Sequence, residues 1–89
     1  MSAAGYRFEA RDLAAQLGER IGSLAPQLLP RGIYSQGRRH WRVGSVNGEP
    51  GQSLCAWLDG PKRGRWRDYA AGEGGDALDL VAVVLCHGD

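Results

Sequence analysis

The chain reads as a small α+β domain, a three- to four-stranded antiparallel sheet flanked by an N-terminal and a C-terminal helix. Three observations predict this. An apolar stripe at helical spacing occupies the first third of the 89 residues, short alternating runs broken by turn dipeptides fill the middle, and an almost uninterrupted apolar run follows Asp76.

The helical stripe is Leu13, Leu17, Ile21 and Leu24, with Ala10 and Ala14 beside it, and it predicts an amphipathic helix from about Glu9. Gly18 and Gly22 weaken that helix by about 1 kcal/mol each relative to alanine. Pro26 either ends it or opens a short second turn through Leu28 and Leu29, which Pro30 closes. Residues 31–39, RGIYSQGRR, read as a polar loop.

Three strands are expected next: HWRVGS (40–45), QSLCAWLD (52–59) and GRWRDY (64–69). Asn47-Gly48 and Pro50-Gly51 mark the first connection, and GPKR marks the second. Period-2 alternation places Leu54, Ala56 and Leu58 on one face with Trp66, as a core side. The other face then collects Trp57, Arg65, Arg67 and Tyr69, joined by Arg42, with Ser53 and Cys55 between them. GEGGD reads as a tight turn into the last helix, with Asp76 as N-cap and Asp79 at the third helical position, where both favour the positive end of the helix dipole. Leu78, Val81, Ala82 and Leu85 are the expected packing face of that helix, although Leu80, Val83 and Val84 make the rest apolar too.

The net charge of +1 conceals segregation. Residues 1–30 are balanced; residues 31–67 carry eight bases against Glu49 and Asp59, a net +6; residues 68–89 carry five acids and no base. A basic middle suits a polyanion, because each neutralised phosphate releases counterions. It suits equally a sheet edge kept soluble by charge.

Several function classes find no support. Cys55, Cys86, His40 and His87 include no Cys-x-x-Cys or spaced His pair, so a structural zinc site is not expected. Two cysteines cannot build a disulfide framework, and no secretory leader or long apolar span is present, so a cytoplasmic protein with no membrane partner is expected. No nucleophile has an oriented base, and GEGGD lacks the Lys-Ser/Thr of a phosphate-binding loop, so no catalytic residue is expected. The signal that remains is basic residues interleaved with aromatics. Single-stranded bases stack on Trp or Tyr while arginines hold the phosphates, each stack contributing about 1–3 kcal/mol. The candidate nucleic-acid-binding residues are Arg38, Arg39, Arg42, Trp57, Lys62, Arg63, Arg65, Arg67 and Tyr69.

The string GRWRDYAAGEGGDALDLVA resembles the second half of the zinc-ribbon domain at the N-terminus of bacterial, phage and plasmid DNA primases. Gly72, Gly75, Asp76 and Asp79 match that family's turn and helix start, and the knuckle cysteines fall on Asp68 and Ala71. The family's upstream Cys-x-x-His pair falls near Gly44 and Asn47, so the likeness is to a degenerate, metal-free form, spanning roughly residues 38–85. It implies a single ribbon-like domain with no zinc or other cofactor, forming the N-terminal part of a longer primase-helicase or Toprim protein. It also implies a non-catalytic role in binding single-stranded DNA template beside a catalytic primase, Toprim or helicase domain. In the absence of metal, Trp66 and Tyr69 are expected to brace the old knuckle by apolar packing. The alternative function is a docking module of a mobile-element protein, using the apolar last helix and acidic tail without touching nucleic acid.

Overall fold

The computed structural model describes residues 10–86, so the helix start expected near Glu9 and the candidate ligand His87 lie outside the described residues. The elements are α1 (Ala10–Glu19), α2 (Ile21–Leu28), β1 (Ile33–Ser35), β2 (His40–Val43), β3 (Leu54–Trp57), β4 (Arg65–Asp68), β5 (Glu73–Asp76) and α3 (Ala77–Cys86). The α+β class is as expected, but the sheet has five strands rather than three or four, all antiparallel, in the order β1-β2-β3-β4-β5.

Both extra strands arose where the sequence reads as loop or turn. Within 31–39, β1 pairs with β2 through Ile33 with Arg42, Tyr34 with Trp41 and Ser35 with His40. Ile33 and Tyr34 remain exposed, so no burial pattern marks them as strand. All of GEGGD but its first glycine is a strand too, β5, which pairs Gly74 with Arg67 and Gly75 with Trp66. A side chain at 74 would place its Cβ 2.6 Å from the Trp66 carbonyl oxygen. The glycine there is required by close backbone approach, a need that composition presents as a turn.

The single predicted N-terminal helix is two. It breaks at Arg20, whose φ of −104° and ψ of 12° leave the helical region, and α2 then continues through Pro26. The Leu29 amide still donates to the Ala25 carbonyl at 2.9 Å, so the proline removes one helical bond without ending the helix. Gly18 has a packing role. The Cβ of any residue replacing Gly64, which has φ +88°, would lie 2.7 Å from the Gly18 Cα, so α1 meets the β3–β4 turn backbone to backbone.

The core forms where these helices cover one side of the sheet. Ile21, Ala25 and Leu29 from the α2 segment and Ala77, Leu80 and Val84 from α3 pack with Trp41, Val43, Leu54, Ala56 and Trp66. The Trp41 indole Nε1 donates to the Leu29 carbonyl at 3.0 Å, so its polar edge is satisfied inside the core and α2 is tied to β2. The packing face of α3 is Ala77/Leu80/Val84, not the expected face, and Leu85 is left 68% exposed. The start of α3 does match the expectation. The Asp79 amide donates to Asp76 Oδ1 at 2.9 Å and the Asp76 amide donates to Asp79 Oδ2 at 3.1 Å, a reciprocal capping box.

Candidate nucleic-acid interface

Register assigns every strand residue a side. On the covered side run Trp41, Ala56 and Trp66 in one row, and Val43, Leu54 and Asp68 in the next. On the open side Arg42, Cys55, Arg67 and Gly74 form one row, and His40 pairs with Trp57 beside them. Arg65 and Arg67 are exposed, whereas Trp66 between them is buried, so β4 alternates between solvent and core.

Trp57 is the centre of the open face. It is half-buried, its ring meets His40 at 5.9 Å with planes 74° apart, and the Lys62 ammonium lies 5.0 Å from its centroid. Two hollows flank it. One, of about 370 Å³, is bounded by Trp57, Lys62, Arg65, Arg67 and the bare β5 backbone at Gly74 and Gly75. The other, of about 430 Å³, lies between Arg39, His40, Trp57, Asp59, Pro61 and Lys62. Towards the far end of β4, the Arg67 guanidinium stands 5.6 Å from the Tyr69 ring, which is 57% exposed. Arg42 is fixed by donating Nη1 to the Gln52 carbonyl at 3.0 Å.

Seven of the nine candidates, Arg39, Arg42, Trp57, Lys62, Arg65, Arg67 and Tyr69, therefore belong to this open face or its rim. Two are placed elsewhere. Arg63 donates Nη2 to the Glu19 carbonyl at 2.6 Å, closing the C-terminal end of α1. Arg38 stacks over Tyr34, 5.0 Å from its centroid, at the β1 edge. The turn carrying it runs left-handed at Gln36, Gly37 and Arg38, with φ of 54°, 63° and 71°. His40 was missed as a site residue, although it shares the parity of Arg42 on the same strand, which is a usable signal.

Electrostatics follow the same layout. Burial, then Arg42 and Arg39, hold the His40 imidazole below its ordinary pKa, so the face carries a neutral ring among its guanidiniums. Cys55 has no exposed surface, and burial raises its thiol pKa against the opposing pull of Arg42 and Lys62. It behaves as a small hydrophobe beneath the charged layer. Cys86 is exposed.

The knuckle-like turn is held by polar contacts. Asp68 is 1% exposed, and its Oδ1 accepts from the amides of Ala70 at 3.0 Å and Ala71 at 3.1 Å. The Gly72 amide donates to the Asp68 carbonyl at 2.9 Å. Tyr69 points to solvent, so it does not brace this turn; Trp66 is in the core as expected. The β2–β3 loop, at the same end of the sheet, has its own brace. There the Ser45 hydroxyl donates to Glu49 Oε1 at 2.7 Å, which lowers the Glu49 pKa, and the Gly44 amide donates to the Glu49 carbonyl. Among the described residues no three His, Cys, Asp or Glu side chains converge as a metal site. No helix among them is long and apolar enough to cross a membrane. No family model matches the chain, and neither the curated proteins nor the solved structures compared with it include a significant match.

Proposed function

We propose that the chain is a non-catalytic module that binds single-stranded DNA across the open face of its sheet, as a metal-free relative of the primase zinc ribbon. One observation carries this reading. Among the described residues the helices pack on one side of the sheet, and Trp57 lies between two hollows on the other, ringed by Lys62, Arg65, Arg67 and Arg39. An aromatic platform with cations around it is what a flexible strand needs, since bases stack while phosphates meet guanidiniums. The kinship with primases is supported by the placing of Gly44 and Asn47 in the β2–β3 connection and of Asp68 and Ala71 at the β4–β5 turn, both at one end of the sheet. A cysteine at 44 would bring its Cβ within 2.7 Å of Glu49 Cγ, so the loop has closed over the position a ligand would need. The catalytic partner is then a primase, Toprim or helicase domain.

Fluorescence anisotropy with a labelled oligothymidine tests the reading. Binding in the micromolar range is expected, weakening with salt at a slope of about −3 in log–log form if four cations engage phosphate. Binding that ignores salt, or that survives Arg65→Ala with Arg67→Ala unchanged, rejects it. A docking role is favoured by a different feature, the exposed Leu85 on α3. Sedimentation separates the two: self-association abolished by Leu85→Ser, without DNA binding, selects docking.

A further inference from the structure

We infer that the hollow between Arg39, His40, Trp57, Asp59 and Lys62 is a subsite for a single guanine base, so that the module prefers guanine within single-stranded DNA. The inference deepens the reading of the open face as a DNA-binding surface and rests on it.

Asp59 is an acid set within the basic part of the chain. Between residues 31 and 67 only Glu49 and Asp59 are acidic. Glu49 is accounted for by Ser45 and the β2–β3 loop. Asp59 is exposed in the β3–β4 turn and lines the 430 Å³ hollow against the indole of Trp57. A carboxylate there repels phosphate, so for a pure backbone binder it is a fault. For a base reader it is a selector.

Guanine alone presents two adjacent donors, N1–H and the N2 amine, which match the two oxygens of a carboxylate. Its opposite edge presents O6 and N7, which match the fork of an arginine. The hollow is lined by one of each, Asp59 and Arg39, together with the aromatic wall of Trp57. Adenine, cytosine and thymine each direct at least one lone pair at the carboxylate along their pairing edge. A third polar side chain, His40, lines the same hollow, and its Nδ1 has no hydrogen-bond partner. The volume falls in the range of about 300–1,000 Å³ usual for small-molecule sites. Lys62, spanning Trp57 at 5.0 Å, lines both this hollow and its neighbour, well placed to meet the phosphate between two successive bases.

The experiment is competition anisotropy with oligothymidines of about 16 nucleotides carrying one central dG, dA or dC. A single dG is expected to tighten binding about tenfold over dA or dC. Replacing that dG by deoxyinosine, which lacks the N2 amine, should remove most of the gain without altering the protein. Asp59→Asn should level the bases while leaving oligothymidine binding intact or slightly tighter, because a negative charge is gone. Equal affinity for the three bases, or a guanine preference that survives both deoxyinosine and Asp59→Asn, overturns the subsite alone. If oligothymidine itself fails to bind, the DNA-binding reading of the whole face falls first.

Discussion

The two faces of the sheet are built from the same strands and do opposite work. On β4, Trp66 and Asp68 face the helices at 4% and 1% exposure, while Arg65 and Arg67 face solvent. On β2, Trp41 and Val43 go in while His40 and Arg42 face out. The covered face uses its tryptophans as volume and the open face uses Trp57 as a surface. The same residue type should therefore fail in two different ways. Trp66→Ala removes a large buried side chain and should cost about 3–5 kcal/mol of stability, a large share of what so small a domain holds. Trp57→Ala, by contrast, should change stability by under about 1 kcal/mol but weaken single-stranded DNA binding by about 1–3 kcal/mol. Chemical denaturation and anisotropy on both variants decide it. Equal loss of stability in the two would abolish the distinction between the faces.

Asp68 sharpens the comparison because it is the polar exception on the covered side. Its carboxylate takes two amides of the β4–β5 turn, so Asp68→Ala leaves them without that acceptor and should destabilise by about 1–3 kcal/mol. Asp68→Asn, which keeps an acceptor oxygen, should recover much of the loss in urea melts. If Ala and Asn behave alike, the turn is held by packing and the bonds are incidental.

What the sequence made legible follows from where each signal resides. Alternation in 52–59 and 64–69 correctly separated Leu54, Ala56 and Trp66 from Trp57, Arg65 and Arg67, because each strand there has one apolar side and one polar side. The capping pair Asp76 and Asp79 was legible because capping is local. β1 was not, since an edge strand with exposed Ile33 and Tyr34 owes its conformation to pairing with β2. β5 was hidden because Gly74 and Gly75 are there for clearance against neighbouring groups, and clearance is a tertiary property. Arg63 looked like its neighbours in sequence, yet the β3–β4 turn directs it to α1, 44 residues away. The role of Asp68 was equally out of reach, as nothing in a lone acid announces that it will be buried and used to cap a turn.

The open face should also divide its own members. Arg65→Ala with Arg67→Ala should flatten the salt slope by about 1.4 in log–log form, near 0.7 per lost phosphate contact. Arg63→Ala should leave that slope unchanged and cost a little stability, because its guanidinium is committed to the Glu19 carbonyl. A slope that falls equally in the two variants would return Arg63 to the interface.

The smallest expected effect concerns pH and has opposite signs for folding and for binding. Burial, with Arg42 and Arg39, depresses His40 below its ordinary value of 6.5, so the folded protein binds fewer protons than the unfolded chain. The resulting stability is present above 6.5 and is lost as pH falls through the folded pKa. Glu49, shifted down, titrates on the acid side of this window, and Cys55, shifted up, on the alkaline side. Phosphates drawn to Arg39 and Arg42 would offset the field those cations exert, raising the His40 pKa in the complex. Binding then takes up a proton, and affinity should rise as pH falls below 6.5, by less than about tenfold per unit for one proton. Affinity and stability measured from neutral pH downward should move apart, and His40→Gln should flatten both. Parallel decline would place the phosphates away from Arg39 and Arg42, and with them the strand's path across the sheet.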